Sequence, residues 1–169
     1  AKKELTILEK LLISLSNEIP ARAIEIEKDE FTVVKSLQLL TLKPILYVCN
    51  VEENSASVGN LHSLKVNEFA KANSAKCLII SAVIEEEISK FENLEDINMF
   101  LNDLGLDEPG LHKIIKVGYR LLNLITFYTV GPKEAHAWTV TEGSIAPQAA
   151  GKIHSCLLYT SDAADDTRS

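Results

Sequence analysis

Lys43-Pro44-Ile45-Leu46-Tyr47-Val48-Cys49-Asn50-Val51-Glu52-Glu53 decides the fold. Ile45 to Cys49 is a short apolar run of branched and aromatic residues, opened by a proline and closed by polar residues. That is the pattern of a fully buried parallel strand. A second such run, Lys76-Cys77-Leu78-Ile79-Ile80, follows after a helix-length segment and ends in Ser81-Ala82. Together they predict a βαβ unit. In open α/β sheets, ligands sit in the crevice outside the carboxyl ends of the strands. Asn50, Glu53 and Ser81-Ala82 are therefore expected to rim one cleft.

Asn-x-x-Glu after one strand and Ser-Ala after the next resemble the base-reading loops of P-loop GTPases, with Glu53 where most of that superfamily has Asp. Downstream strings extend the resemblance: Phe100-Leu101-x-Asp103-Leu104-Gly105-Leu106, Gly110-Leu111-x-Lys113-Ile114-Ile115-Lys116-x-Gly118-Tyr119, Leu124 to Thr129, Gly131-Pro132-Lys133-Glu134-x-x-Ala137-Trp138-Thr139-Val140 and Ala146 to His154. These residues resemble the Obg-like ATPase family, also called YchF, over residues 1 to 155.

The resemblance implies an α/β fold: the C-terminal part of a P-loop NTPase domain, a parallel sheet with helices. The end of a helical, coiled-coil-like insertion would precede it, and the start of a β-grasp (TGS) domain would follow. The expected segments are 1–41 for the insertion and return helix, 42–123 for the nucleotide-binding domain, 124–155 for the TGS part, and 156–169 for a tail.

The chain has 169 residues, 46% hydrophobic and 24% charged, a globular composition with room for one domain or pieces of two. A formal charge of −7 argues against a surface that is wholly a nucleic-acid footprint. Cys49, Cys77 and Cys156 show no Cys-x-x-Cys spacing, which fits a reduced, cytoplasmic setting. No apolar run approaches the roughly 20 residues of a membrane span.

Leu5, Leu8, Leu12 and Leu15 recur at alternating three- and four-residue steps and predict an amphipathic helix over residues 2 to 17 with that face inward. A second helix is expected near Asp29, carrying Phe31, Val34, Leu37 and Leu40 inward, and a third over Asn60 to Ala72. A fourth should run from Asn93, with Asp96 in a capping arrangement, to Gly105. Ile84-Glu85-Glu86-Glu87 reads as the start of a solvated helix. Another helix is expected from Pro109 to Leu122, with Leu111, Ile114, Ile115, Gly118 and Leu122 buried and Lys113, Lys116 and Arg120 on a solvated face. From Leu124 the text turns to Thr, Tyr, Phe, Val and Trp with breaks at Gly131-Pro132 and Gly143, predicting a hairpin.

After Ser155 the family pattern stops. Cys156 to Ser169 has no amphipathic period, favours disorder by composition, and resembles translated adaptor sequence, so it is expected to be non-native. Without its one arginine and three aspartates the formal charge moves from −7 to −5. The chain reads as an internal fragment.

No Gly-x-x-x-x-Gly-Lys-Ser/Thr phosphate loop occurs in these residues. No catalytic and no metal-ligating residue is therefore assigned. The resemblance implies nucleotide contact by Asn50, Val51, Glu53, Ser81 and Ala82. In GTPases an Asp accepts two hydrogen bonds from guanine, a charge-assisted pair that adenine cannot offer. Glu53 in that place, with Val51 where Lys is usual, implies ATP in preference to GTP. Mg²⁺ and its ligands, and a ribosome or RNA partner, are implied for the parent protein, whereas DNA specificity and a membrane partner are not.

Residue chemistry alone also allows Asn50 and Glu53 to be loop caps, Trp138 to be core, and the four histidines to be surface or packing residues. The fragment alone is expected to be inactive. A non-enzymatic interaction module of βαβ and β-grasp type is the alternative.

Overall fold

The computed structural model describes residues 2 to 154, so the expectation for 156–169 lies outside the described residues. It is an α/β protein in two compact units, the first ending at Lys113 and the second beginning at Ile114.

The first unit opens with α1 (Lys2–Ser16) and α2 (Phe31–Ser36). Their shared core is Ile7, Leu11, Ala21 and Val34, with Leu15, Ile24 and Leu42 packed against it. Full burial of an isoleucine, leucine or valine side chain such as Ile7, Leu11 or Val34 stabilises by about 1.5–3 kcal/mol. The helix over 2 to 17 is as expected, but the inward face is not. Leu5, Leu8 and Leu12 are exposed, while Ile7 and Leu11, four apart, point inward. Seven apolar residues between Leu5 and Leu15 cover more than one stripe, so periodicity permits either face, and packing against α2 selects one.

α2 is also shorter than expected. Its N-terminal flank is Glu30 rather than Asp29, and only Val34 of its four predicted inward residues is buried. Gln38, at φ +49, takes the chain out of the helix. Leu40 falls in a separate 3₁₀ turn and is exposed.

Next come β1 (Leu46–Asn50), α3 (Leu61–Ala72) and β2 (Lys76–Ile80). The strands pair in parallel, Leu46 opposite Lys76 through Asn50 opposite Ile80. Neither strand is fully buried as its composition suggested. Val48 is 42% exposed, because among the described residues β1 has a single neighbour strand. α3 starts at Asn60, whose Oδ1 accepts from the Ser63 N–H (2.9 Å) while Ser63 Oγ accepts from the Asn60 N–H (2.8 Å). Gly59 must precede it: its φ is +83, and a β-carbon there would lie 2.6 Å from Ser63 Oγ.

α4 (Ala82–Ile88) and α5 (Leu94–Asp103) follow β2. α5 begins and ends as its sequence indicates. Asn93 Oδ1 accepts from the Asp96 N–H at 2.9 Å, and Gly105 sits at φ +67 just past the end.

α6 (Gly110–Leu121) holds none of its residues buried among those described, so the stripe expected from Leu111 to Leu122 is corrected: Leu111, Ile115 and Leu122 are about half exposed. An amphipathic period marks the face that can be buried, and burial needs a partner surface.

The second unit contains the antiparallel hairpin β3 (Leu124–Val130) and β4 (Ala135–Thr141), then α7 (Ala146–Ile153). Leu124 pairs with Thr141 and Val130 with Ala135. Trp138 is half buried. Its Nε1–H donates to Thr129 Oγ1 at 2.9 Å and its ring lies 4.3 Å from that of His136. Gln148 Oε1 accepts from the Ile145 N–H at 3.2 Å, tying down the entry to α7.

Candidate nucleotide-base site

The parallel ladder carries two loops away from the same edge of the sheet, and one side chain joins them. Asn50 Oδ1 accepts from the Ala82 N–H at 2.9 Å, across 32 residues of sequence. The Val51 N–H donates to the Ile80 carbonyl at 2.9 Å, which continues the ladder one residue past β1. Asn50, Val51, Ser81 and Ala82 thus form one connected strand-end structure. Asn50 is exposed there and Val51 is almost wholly buried.

Glu53 stands apart from that cluster. It opens a 3₁₀ turn, Glu53–Ser55, and is exposed to solvent. The carboxylate that faces the groove is its neighbour. A cleft of about 540 Å³ runs along β1 from Tyr47 to Glu52 and is closed by Asn60, His62, Ser63 and Val66 of the α3 end. Glu52 Oε2 accepts from Asn60 Nδ2 at 3.2 Å. A backbone hydrogen bond first, and this amide second, hold the Glu52 carboxyl below its ordinary value. Glu52, Asn60 and His62 are not among the sequence-predicted residues. The Asn60-x-x-Ser63 spacing is the local signal that places two of the cleft's walls.

Ser81 is 2% exposed and its Oγ has no hydrogen-bond partner within the described protein. A buried hydroxyl without a partner costs about 1–3 kcal/mol, so an orphan at the carboxyl end of a parallel strand is a notable feature.

Just behind the loops, Glu85 has a role that its sequence does not advertise. Rather than lying on a solvated helix face, its carboxylate accepts from the Gly110 N–H at 2.6 Å and the Leu111 N–H at 3.1 Å. An anion thereby satisfies two of the open N–H groups at the start of α6. Gly110 makes this approach possible, since a β-carbon there would lie 2.8 Å from Ile80 Cγ2 and 2.9 Å from Glu85 Oε1.

No group of three or more His, Cys, Asp or Glu side chains is arranged to hold a metal ion among the described residues. No helix among them is long and apolar enough to cross a membrane.

Comparison with known proteins agrees with this architecture. Residues 124–160 match the family model YchF-GTPase_C, described as "Protein of unknown function (DUF933)". The protein named "Ribosome-binding ATPase YchF" from Haemophilus ducreyi is 46% identical over 154 residues, covering 91% of this chain and 42% of that protein. The Bacillus subtilis protein of the same name is 44% identical, over 90% of this chain and 42% of its own length. The solved structure titled "Structure of the Schizosaccharomyces pombe YchF GTPase" superposes with a TM-score of 0.82 at 32% identity, over 94% of this chain and 43% of the solved one. The chain therefore spans a little under half the length of these relatives. Over that span, in sequence and in fold, it belongs to the YchF family.

Proposed function

We propose that the protein to which these residues belong binds and hydrolyses ATP, and GTP less readily, and that this chain supplies the base-reading side of the nucleotide site. One observation carries the reading: the Asn50–Ala82 hydrogen bond joins the two loops that leave the carboxyl ends of a parallel pair. Asn50 and the Ser81-Ala82 loop then hold the purine edge, the Val51 backbone lines the base, and Glu53 sits where GTPases read guanine. The relatives named as YchF ATPases and GTPase support the same reading.

The sequence contains no Gly-x-x-x-x-Gly-Lys-Ser/Thr string, and the phosphate and Mg²⁺ contacts are proposed to come from other parts of the parent protein. No hydrolytic step is assigned to the described residues, and residues 1 to 169 alone should turn over no nucleotide. Association with the ribosome or its RNA, in the cytoplasm, is proposed from the relatives' names, and 124–155 is proposed as the beginning of a TGS domain.

The test uses the parent protein with Glu53→Asp and Val51→Lys combined. The ratio of kcat/KM for GTP to that for ATP should rise about tenfold, which corresponds to ~1.4 kcal/mol and is within reach of one charge-assisted hydrogen bond. An unchanged ratio would remove Asn50 to Glu53 from the base site.

A further inference from the structure

Two thiols lie on one face of the β1–β2 ladder, Cys49 immediately before Asn50 and Cys77 opposite Tyr47. Cys49 Sγ and Cys77 Sγ are 3.8 Å apart, both half buried and neither in a disulfide. Cys49 also lines the cleft, which gives the pair a way in from solvent.

The register says what the pair can bind. Cys49 is opposite Ile79, and Cys77 is opposite Tyr47, so the two cysteines are offset by two residues along the strands. At about 3.3 Å per residue and about 4.8 Å between strands, their backbones are roughly 8 Å apart. A disulfide spans about 4.4–6.8 Å between α-carbons, so direct S–S bonding would require the strands to slip.

One atom bonded to both sulfurs needs no such movement. With bonds of about 2.3 Å, a 3.8 Å separation gives an angle of about 111° at that atom, close to tetrahedral, whereas a linear dithiolate would need about 4.6 Å. We propose that Cys49 and Cys77 form a two-thiolate site for a soft, tetrahedral d¹⁰ cation of the zinc and cadmium class. Binding exchanges two thiol protons for two metal–sulfur bonds, with no change of oxidation state. No third His, Cys, Asp or Glu joins them among the described residues, so two coordination positions stay open. The site is independent of the nucleotide reading.

Cadmium is the probe, added to the full chain carrying Cys156→Ser. The thiolate-to-cadmium charge-transfer absorption should grow and saturate at one equivalent. It should vanish with Cys49→Ala and with Cys77→Ala. Absence of the band, or its survival in either variant, overturns the site. Alkylation of both native thiols, read by mass spectrometry, covers the case in which a variant fails to fold. One equivalent of Cd²⁺ should slow iodoacetamide labelling of Cys49 and Cys77 about tenfold, because a metal-bound thiolate is a poorer nucleophile. Equal labelling rates with and without Cd²⁺ also overturn it.

Discussion

The β1–β2 pair and the β3–β4 hairpin are both two-stranded, yet they are held by opposite means. In the hairpin, partners lie close in sequence. Val130 faces Ala135 across the turn, and Trp138 Nε1–H reaches Thr129 nine residues away. At the end of β1–β2, the decisive bonds are remote: Asn50 to Ala82 over 32 residues, and Glu85 to Gly110 over 25. A local pair limits damage to its own turn. A remote pair makes one side chain responsible for two segments.

That contrast can be broken by substitution. The largest effect is expected from Glu85→Ala. It strips the start of α6 of an acceptor shared by two backbone N–H groups, and each bond to a charged acceptor contributes about 1.5–3 kcal/mol. Amide hydrogen exchange at Gly110 and Leu111 should accelerate by one to two orders of magnitude, roughly 1.4 kcal/mol per factor of ten. Unchanged exchange there would show that the cap is dispensable.

Asn50→Ala comes next. It should lower protection of the Ala82 amide by about 1 kcal/mol, the contribution of a neutral hydrogen bond, while leaving the hairpin amides as they were. Loosening confined to residues 46 to 50 would erase the distinction between remote and local bonding.

The smallest effect should follow Trp138→Phe. That change keeps an aromatic ring beside His136 and loses one bond to Thr129, about 0.5–1 kcal/mol, with the exchange response limited to the hairpin. A response reaching past α7 or into residues before 114 would contradict the local picture.

The same contrast explains what the sequence discloses. Boundaries set by short-range chemistry are legible: the limits of β2, the Asn93–Asp96 cap, the Gly105 stop and the hairpin all follow from residues within a few positions of one another. Burial faces are less legible. α1 carries apolar residues on two faces, and packing against α2, not periodicity, chooses Ile7 and Leu11 over Leu5 and Leu8.

Within the candidate site, Asn50 and Ser81-Ala82 could be named from strand ends alone, and the structure brings them together. Glu52 facing the cleft could not, because adjacent glutamates in a loop have no period to sort them. Nor could the cap made by Glu85, which stands in a run of three acids that reads as solvent-facing.

Ser81 offers an experimental handle of a different kind. Its buried, unpartnered hydroxyl means that Ser81→Ala removes an atom making no hydrogen bond within the described protein, so the free chain should be no less stable to unfolding, with a gain of up to ~1 kcal/mol. Any function that nevertheless weakens in that variant must draw on the hydroxyl only in the bound state. A single methyl-for-hydroxyl exchange thereby becomes an assay that separates recognition from folding, one that exposed positions such as Glu53 cannot provide.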